Sequence, residues 1–245
     1  MKKLQYGLLL AALSPQLSYA SIGINSMVEF AEKGQGLFTI SNVADYRQFL
    51  SVAVSSISVV DGELVKTPYT RENIDSWSLT VRPARTVIDP KLKKDFKLRY
   101  EAKASESAER DKMYQLTFVP TPYFAKGEPE THVMQIAIGF APIFVVPAEK
   151  DQPLDYDVTY KGESIQLVNN GNSYLRAIFD ACPESAKGDA RKACSKVVYG
   201  LSGRNLTIPL PPEMQSASQI KAEFSTHNLT YKAKLTLEKN QKIKG

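Results

Sequence analysis

The two cysteines carry the clearest chemistry in this sequence. Cys182 and Cys194 flank a short polar stretch, and they are the only cysteines in the chain. In an oxidising compartment such a pair forms a disulfide. Their spacing differs from the Cys-x-x-Cys of redox-active pairs, and neither His132 nor His227 lies near them in the sequence, which argues against a zinc site. We therefore predict one structural disulfide and no bound metal.

The other polar residues do not form a catalytic pattern. Asp155 and Asp157, like Glu106 and Glu109, lie in polar stretches that are typical of solvated loops rather than of a general acid and base pair. The chain contains no Gly-x-Ser-x-Gly motif. Its Gly-x-Gly at residues 34–36 does not follow a strand and open a helix, as a phosphate-binding loop would. We predict that the protein is not an enzyme and uses no cofactor.

The N-terminus predicts export. Lys2 and Lys3 precede an apolar run, and small residues at Ser18 and Ala20 occupy the positions that signal peptidase reads. We expect residues 1–20 to be a signal peptide cleaved after Ala20, which places the mature protein in a bacterial periplasm. The formal charge of +5 is spread along the chain without interleaved aromatic residues, so no nucleic-acid partner is predicted.

An uncharged run, MQIAIGFAPIFVVP at residues 134–147, is the most informative segment. It is too short to span a bilayer, which takes about 20 apolar residues, so no stable membrane insertion is expected. Its first half alternates as a strand does, with large side chains on one face. These are Met134, Ile136, Ile138 and Phe140.

Gly139 and Pro142 favour a place for this strand at a sheet edge or bend rather than in the centre of a sheet. An exposed edge strand with large apolar residues recruits other chains. Two interpretations stay open from the pattern alone: a strand that binds a partner, or an ordinary last strand with both faces covered.

The rest of the chain predicts an all-β protein of two domains. Short segments rich in Val, Ile, Thr, Tyr and Phe alternate with turn residues. A polar stretch, residues 148–155, separates them into domains at 21–147 and 148–245, each long enough to close its own core. Asn169-Asn170-Gly171-Asn172 and Asp61-Gly62 are typical of tight β-hairpin turns. Strands are predicted at residues 37–40, 49–60, 78–81, 96–100, 114–119, 156–160, 164–168, 174–179, 197–201, 206–208, 219–224 and 231–237.

Several of these motifs together resemble the PapD-like periplasmic chaperones of chaperone-usher pilus assembly. The similarity lies in a proline-flanked turn and the strand after it, an acidic and aromatic strand, the apolar run, and a second-domain hairpin motif followed by an arginine and the cysteine pair. The matching segments are residues 81–90, 97–99, 109–120, 134–138 and 167–172, with Arg176, Cys182 and Cys194. The second-domain motifs are most similar to the alternate branch, which serves colonization-factor and common-pilus fimbriae.

The resemblance implies two immunoglobulin-like sandwiches in an L shape. It also implies a chaperone that donates its apolar strand to a pilus subunit lacking its own last strand, and then delivers that subunit to an outer-membrane usher. The subunit-binding strand would contain Met134, Ile136, Ile138, Phe140, Ile143 and Val145.

The resemblance also implies roles for charged residues. Family members hold the subunit's C-terminal carboxylate with an arginine in the first strand and a lysine in the donor strand, and this sequence has neither. Arg176, Arg82 or Arg85 could supply the charge-assisted donor instead. Arg99 and Asp111 match positions of an interdomain salt bridge, although a plain surface pair is an equal alternative.

A second hypothesis is an exported two-domain immunoglobulin-like adhesin or structural subunit of a fimbria. A fimbrial subunit usually has one incomplete domain with a donor extension at its mature N-terminus. Here residues 21–30 run directly into a domain, and the donor-like strand is internal, which favours the chaperone.

Overall fold

The chain folds into two β-sandwiches that follow one another in the sequence. The computed structural model describes residues 21–104, 106–125, 127 and 139–245. Two sheets form the first sandwich and two form the second. The all-β fold expected from the sequence, with two β-sandwich domains, is therefore confirmed.

The strands of the first sandwich within the described residues are β1 (Ile22–Ile24), β2 (Val28–Phe30), β3 (Gln35–Asn42), β4 (Gln48–Val60), β5 (Glu63–Pro68), β6 (Leu79–Arg82), β7 (Arg85–Ile88), β8 (Lys93–Tyr100), β9 (Lys112–Pro122) and β10 (Ile143–Val146). One of its sheets has four strands in the order β1-β3-β8-β6. In the other sheet, β2-β10-β9-β4-β5 are neighbours and β7 also pairs with β4. A short 3₁₀ helix, Arg71–Ser76, precedes β6.

The strands of the second sandwich are β11 (Tyr156–Tyr160), β12 (Ser164–Asn169), β13 (Leu175–Asp180), β14 (Ser195–Gly200), β15 (Asn205–Pro209), β16 (Gln219–Ser225), β17 (Lys232–Glu238) and β18 (Lys242–Lys244). They form two four-stranded sheets, in the orders β15-β12-β11-β18 and β14-β13-β16-β17. Two short helices, α1 (Gly188–Cys194) and α2 (Pro212–Gln215), lie in the loops of this sandwich.

Each sandwich closes a core of its own. In the first, Phe38, Phe96 and Phe118 are fully buried and meet edge to face. In the second, Phe179 and Phe224 make the equivalent contact. Alternating apolar residues on facing strands form these cores because successive side chains of a strand point to opposite faces. The twelve strands predicted from the sequence all overlap observed strands.

The two predicted hairpin turns had different outcomes. Asp61 and Gly62 both have positive φ and join the paired strands β4 and β5, so that hairpin is confirmed. The second prediction was wrong, because the strands before and after Asn169–Asn172 belong to different sheets of the second sandwich. The buried Asn169 amide donates to the carbonyl oxygens of Ser173 and Gly200, which holds the loop as a crossover instead.

The predicted disulfide is confirmed. Cys182 and Cys194 are bonded, with Cα atoms 5.0 Å apart, and no free cysteine exists in the chain. The bond ties the end of β13 to the start of β14 through α1, which closes a short loop at the far end of the second sandwich.

Candidate functional site: the last strand of the first sandwich and the domain junction

The start of the apolar run lies outside the described residues. This applies to Met134, Ile136 and Ile138, whose predicted role therefore stays a prediction. The described part of the run begins at Gly139 and continues through Phe140 into β10.

Phe140 forms a bridge with Phe118 of β9. Its backbone N–H donates to the Phe118 carbonyl at 3.2 Å, and the Phe118 N–H donates to the Phe140 carbonyl at 2.8 Å. The pairing has the same register as that of β10 with β9, in which Phe144 faces Tyr114. Residues 140 and 144 therefore share one face, and the Phe140 ring packs against the core of the first sandwich. Phe140 is half-buried and contacts its own domain in this structure, and its predicted role in binding a subunit stays a prediction.

Gly139 makes this close pairing possible. A Cβ atom at this position would lie 2.4 Å from the carbonyl oxygen of Phe118, which is well inside van der Waals contact. Because that oxygen belongs to the backbone of a central strand, it cannot move aside as a flexible side chain would. The sequence pattern registered Gly139 only as a weak point in a strand, and it did not indicate this contact.

The strand β10 is not at a sheet edge. It lies between β9, its antiparallel neighbour, and β2, its parallel neighbour. The predicted edge or bend position concerned the alternating first half of the run, of which residues 134–138 lie outside the described residues. Val145 is fully buried and Ile143 is half-buried, both in a cluster shared by the two sandwiches. Both side chains therefore lie against the second domain in this structure, and their assignment to a subunit-binding strand stays a prediction.

That shared cluster joins the two domains. Val145 packs with Ile57, Met113, Tyr174 and Leu201, of which the last two belong to the second sandwich. Burying such side chains stabilises the contact by roughly 1.5–3 kcal/mol each when the burial is complete. The junction is therefore an apolar interface as well as a linker.

An aromatic stack extends the junction. Phe30 at the end of β2 stacks on Tyr174, with ring centroids 4.6 Å apart, and Tyr199 and His227 also contact Phe30. The Tyr174 hydroxyl lies 2.7 Å from Nδ1 of His227. Burial raises the pKa of the Tyr174 phenol, so its hydroxyl keeps its proton at physiological pH and is able to donate to that nitrogen.

Asp111 connects the domains through backbone groups. Its carboxylate accepts the N–H of Tyr174 at 2.5 Å and the N–H of Ala148 in the linker at 2.8 Å, and its own N–H donates to the Asn172 carbonyl at 3.1 Å. The side chain is buried. Burial raises the pKa of the Asp111 carboxyl, and the two N–H groups oppose that rise.

The predicted Arg99–Asp111 salt bridge does not form. Arg99 pairs with Glu101 at 3.0 Å, and its side chain is largely exposed. Asp111 does lie at the domain junction, as its position suggested, but its partners are main-chain N–H groups. Sequence comparison of charged residues could not reveal these, because every residue except proline has such a donor.

A second polar contact between domains uses the β4–β5 hairpin. Arg204 donates from Nη1 to the Gly62 carbonyl at 2.7 Å and to the Glu63 carboxylate at 2.6 Å. The N–H of Asn205 donates to the same carbonyl at 3.1 Å. The Arg204 side chain is 16% exposed, whereas Glu63 is 75% exposed. The hairpin tip thus docks on the second sandwich.

The three candidate anchor arginines lie in two different regions. Arg176 is on β13, opposite Tyr199 in register and close enough to Tyr174 for an electrostatic interaction, so it lies beside the junction. Arg82 ends β6 and Arg85 begins β7, and both are exposed on the first sandwich. Across the described residues, none of the three forms an ion pair. The structure does not bring Arg176 together with Arg82 or Arg85.

No group of three or more His, Cys, Asp or Glu side chains suited to a metal ion occurs among the described residues. Within the same part of the chain, no helix is both long and apolar enough to cross a membrane.

The first domain carries the family match. Residues 24–147, half of the chain, match the model of the CS5 fimbrial protein N-terminal domain. The chain belongs to that family. A comparison with curated protein sequences gives no match.

Solved structures match both sandwiches together. A chain from the complex of the SafA pilin with the SafB chaperone of Salmonella enterica is 11% identical over 92% of this chain and 99% of its own, with a TM-score of 0.52. The CsuC–CsuE chaperone–tip adhesion subunit complex of Acinetobacter baumannii provides another, 13% identical over 91% and 100%, with a TM-score of 0.50. The class 5 fimbriae chaperone CfaA is 13% identical over 90% and 99%, also at 0.50. At these identities the likeness establishes a shared fold.

Proposed function

We propose that this protein is a periplasmic chaperone of fimbrial subunits. The observation that carries the proposal is the match of both sandwiches, over nine-tenths of this chain, to nearly the full length of proteins named as chaperones in complexes with a pilin or a tip subunit. Membership of a fimbrial protein family supports the same role. Folding assistance of this kind needs no nucleotide, cofactor or metal.

The proposed mechanism is donation of a strand. A subunit that lacks one strand exposes core side chains and unpaired backbone groups, and an added strand satisfies both at once. Met134, Ile136 and Ile138 are the donor side chains in this proposal. Burying them would contribute about 5–9 kcal/mol before the cost of ordering both partners. The described strand supports this by fixing the end of the donor segment through the Phe140–Phe118 bridge.

The test replaces Ile136 and Ile138 by aspartate. Because these side chains would face a partner, the variant should fold normally yet lose the subunit, since an unpaired charge in an apolar groove costs several kcal/mol. Gln135→Asp is the matched control, because alternation places residue 135 on the opposite face of the strand. Co-purification of a co-expressed fimbrial subunit measures binding, and circular dichroism measures folding.

Two results would refute strand donation. The first is retention of the subunit by the double aspartate variant. The second is an unfolded double variant beside a folded Gln135→Asp, which would show that the isoleucines belong to the domain's own core.

Arg176 is the proposed anchor for the carboxylate at the subunit's C-terminus. Its support is the absence of any ion pair for Arg176 among the described residues and its place beside the aromatic stack at the junction. Arg176→Ala should weaken subunit capture while Arg82→Ala and Arg85→Ala leave it unchanged. If Arg82→Ala or Arg85→Ala weakened capture and Arg176→Ala did not, the anchor would lie on the first sandwich. If none of the three variants had an effect, strand pairing alone would hold the subunit.

Export and delivery complete the proposal. Residues 1–20 would be removed after Ala20, which intact-mass measurement of the periplasmic protein tests directly. An outer-membrane usher would then receive the complex. A structural role in the fimbria is the second candidate, because the matching family is described as a fimbrial protein. Detection of this chain in sheared, washed fimbriae would favour that role, whereas its presence only in the periplasm would favour the chaperone.

A further inference from the structure

A basic depression lies on the first sandwich. It has a volume of about 700 Å³ and is open to solvent on the sheet β1-β3-β8-β6. Four of its lining side chains are cationic and exposed, and the one carboxylate among them leaves a local excess of three positive charges. The lining residues are Thr39, Arg82, Pro83, Lys93, Lys94, Asp95 and Lys97.

The cations of this depression are left without acidic partners. Some exposed lysines elsewhere on the described surface reach carboxylates, as Lys91 does with Asp45 and Lys234 does with Glu223. Within the described residues, no ion pair is formed by the four cations of the depression, which lie on β6 and β8: Arg82, Lys93, Lys94 and Lys97.

The strand register makes the arrangement unfavourable for the protein alone. Arg82 of β6 lies directly opposite Lys97 of β8. Like charges in that position destabilise a sheet. The single acid in the depression does not relieve them, because the Asp95 carboxylate accepts a hydrogen bond from the Thr39 hydroxyl at 2.7 Å and forms no ion pair. An anionic partner would remove this repulsion.

The polar groups of the depression favour a peptide over a membrane surface. Asp95 lies among the cations, and its carboxylate oxygen that does not accept from the Thr39 hydroxyl is able to accept an N–H group. A peptide backbone offers such donors, whereas a phosphate does not.

We propose that this depression is a docking site for an acidic, extended segment of a partner protein. The site is distinct from the donor strand and from Arg176, so it is able to operate while a subunit is bound. Carboxylates of the segment pair with the four cations Lys93, Lys94, Lys97 and Arg82. The site raises the association rate of the two proteins and orients them, and it does not bury a large apolar surface.

The experiment measures binding of a fluorescein-labelled peptide of alternating glutamate and glycine to the full chain by fluorescence anisotropy. The same peptide with glutamine in place of glutamate is the neutral probe. Lys93→Glu/Lys97→Glu reverses two charges in the depression, and Lys221→Glu/Lys232→Glu makes the same change of net charge on the second sandwich, where both lysines are exposed and unpaired within the described residues.

We expect the acidic peptide to bind in preference to the neutral one, and the depression variant to weaken binding by roughly tenfold or more while the control variant stays within about twofold. Binding should also fall with added salt, since the screening length is only about 10 Å at 0.1 M. The depression variant should unfold no earlier than the unaltered chain, because Lys97→Glu replaces like charges opposite Arg82 by opposite ones. Circular dichroism checks that the control variant is folded.

Three outcomes would overturn the proposal. Equal weakening by both variants would show a response to net charge alone. Equal binding of both peptides would show that the carboxylates are not recognised. Binding of phosphatidylglycerol vesicles that depends on Lys93 and Lys97, without binding of the acidic peptide, would assign the site to a membrane. Subunit capture by the depression variant separates this proposal from the chaperone function, because it should be unchanged.

Discussion

Replacing Gly139 by alanine tests how the first sandwich holds the end of the donor segment. The added Cβ would lie 2.4 Å from the Phe118 carbonyl oxygen, so the segment must move away from β9. That movement breaks the two hydrogen bonds between Phe140 and Phe118 and withdraws the Phe140 ring from the core.

The expected cost follows from those contacts. Two backbone hydrogen bonds contribute about 0.5–1.5 kcal/mol each, and partial exposure of a large apolar ring adds about 1 kcal/mol. Replacing glycine by alanine also restricts the unfolded chain, which offsets this loss of stability by about 0.4–1 kcal/mol. The free energy of unfolding of the first domain should therefore fall by about 1–3 kcal/mol.

Urea unfolding followed by circular dichroism measures this change. Gly23→Ala is the matched control, since its Cβ would meet only the Ser41 side chain at 3.9 Å, an ordinary contact. When it is co-expressed with a fimbrial subunit, the Gly139→Ala variant should also capture less of that subunit, because the donor segment loses its fixed end. An unchanged urea midpoint for Gly139→Ala, or an equal loss in Gly23→Ala, would refute the reasoning.

Three further changes test the junction and the cores. Arg204→Ala should lower the free energy of unfolding by about 1–2 kcal/mol, because the Gly62 carbonyl loses a charged donor. Glu63→Ala should lower it by less than about 0.5 kcal/mol, since that carboxylate is largely exposed. Equal losses of stability for the two variants in thermal unfolding would contradict this. Gln48→Met should raise stability by about 1–2 kcal/mol, because the buried Gln48 amide has no hydrogen-bond partner among the described residues; a lower melting temperature would show that the amide is paired. For Asp151, burial raises the pKa, but hydrogen bonds from Thr226 and two backbone N–H groups outweigh that effect and hold it below the usual 3.8. Its stabilisation should therefore be complete above pH 3.8 and disappear as the pH falls through the lowered value, so the stability difference between the unaltered chain and Asp151→Ala should shrink in acid; a difference independent of pH would contradict the assignment.

The sequence by itself determined the fold class and most of the strands. Alternation of apolar and polar residues is a local property, and it identified strands such as Tyr156–Tyr160 without knowledge of their neighbours. Asp61-Gly62 was also predicted correctly as a turn, because the positive φ at both residues depends on those residues alone. The disulfide was predicted from two cysteines in a chain whose N-terminus predicts export.

Only the tertiary structure decided which surfaces are free. The sequence pattern of β10 is apolar on both faces, and periodicity cannot distinguish a face covered by a second domain from one offered to a partner. Val145 proved to be covered, because Tyr174 and Leu201 arrive there from the other sandwich. Asn169-Asn170-Gly171 has hairpin residues, yet its flanking strands found partners in different sheets, and the buried Asn169 amide fixed the crossover. Asp111 binds the backbone N–H groups of Ala148 and Tyr174 instead of the predicted arginine. The sequence pattern did not indicate these contacts, because they join chain segments that are far apart in the sequence.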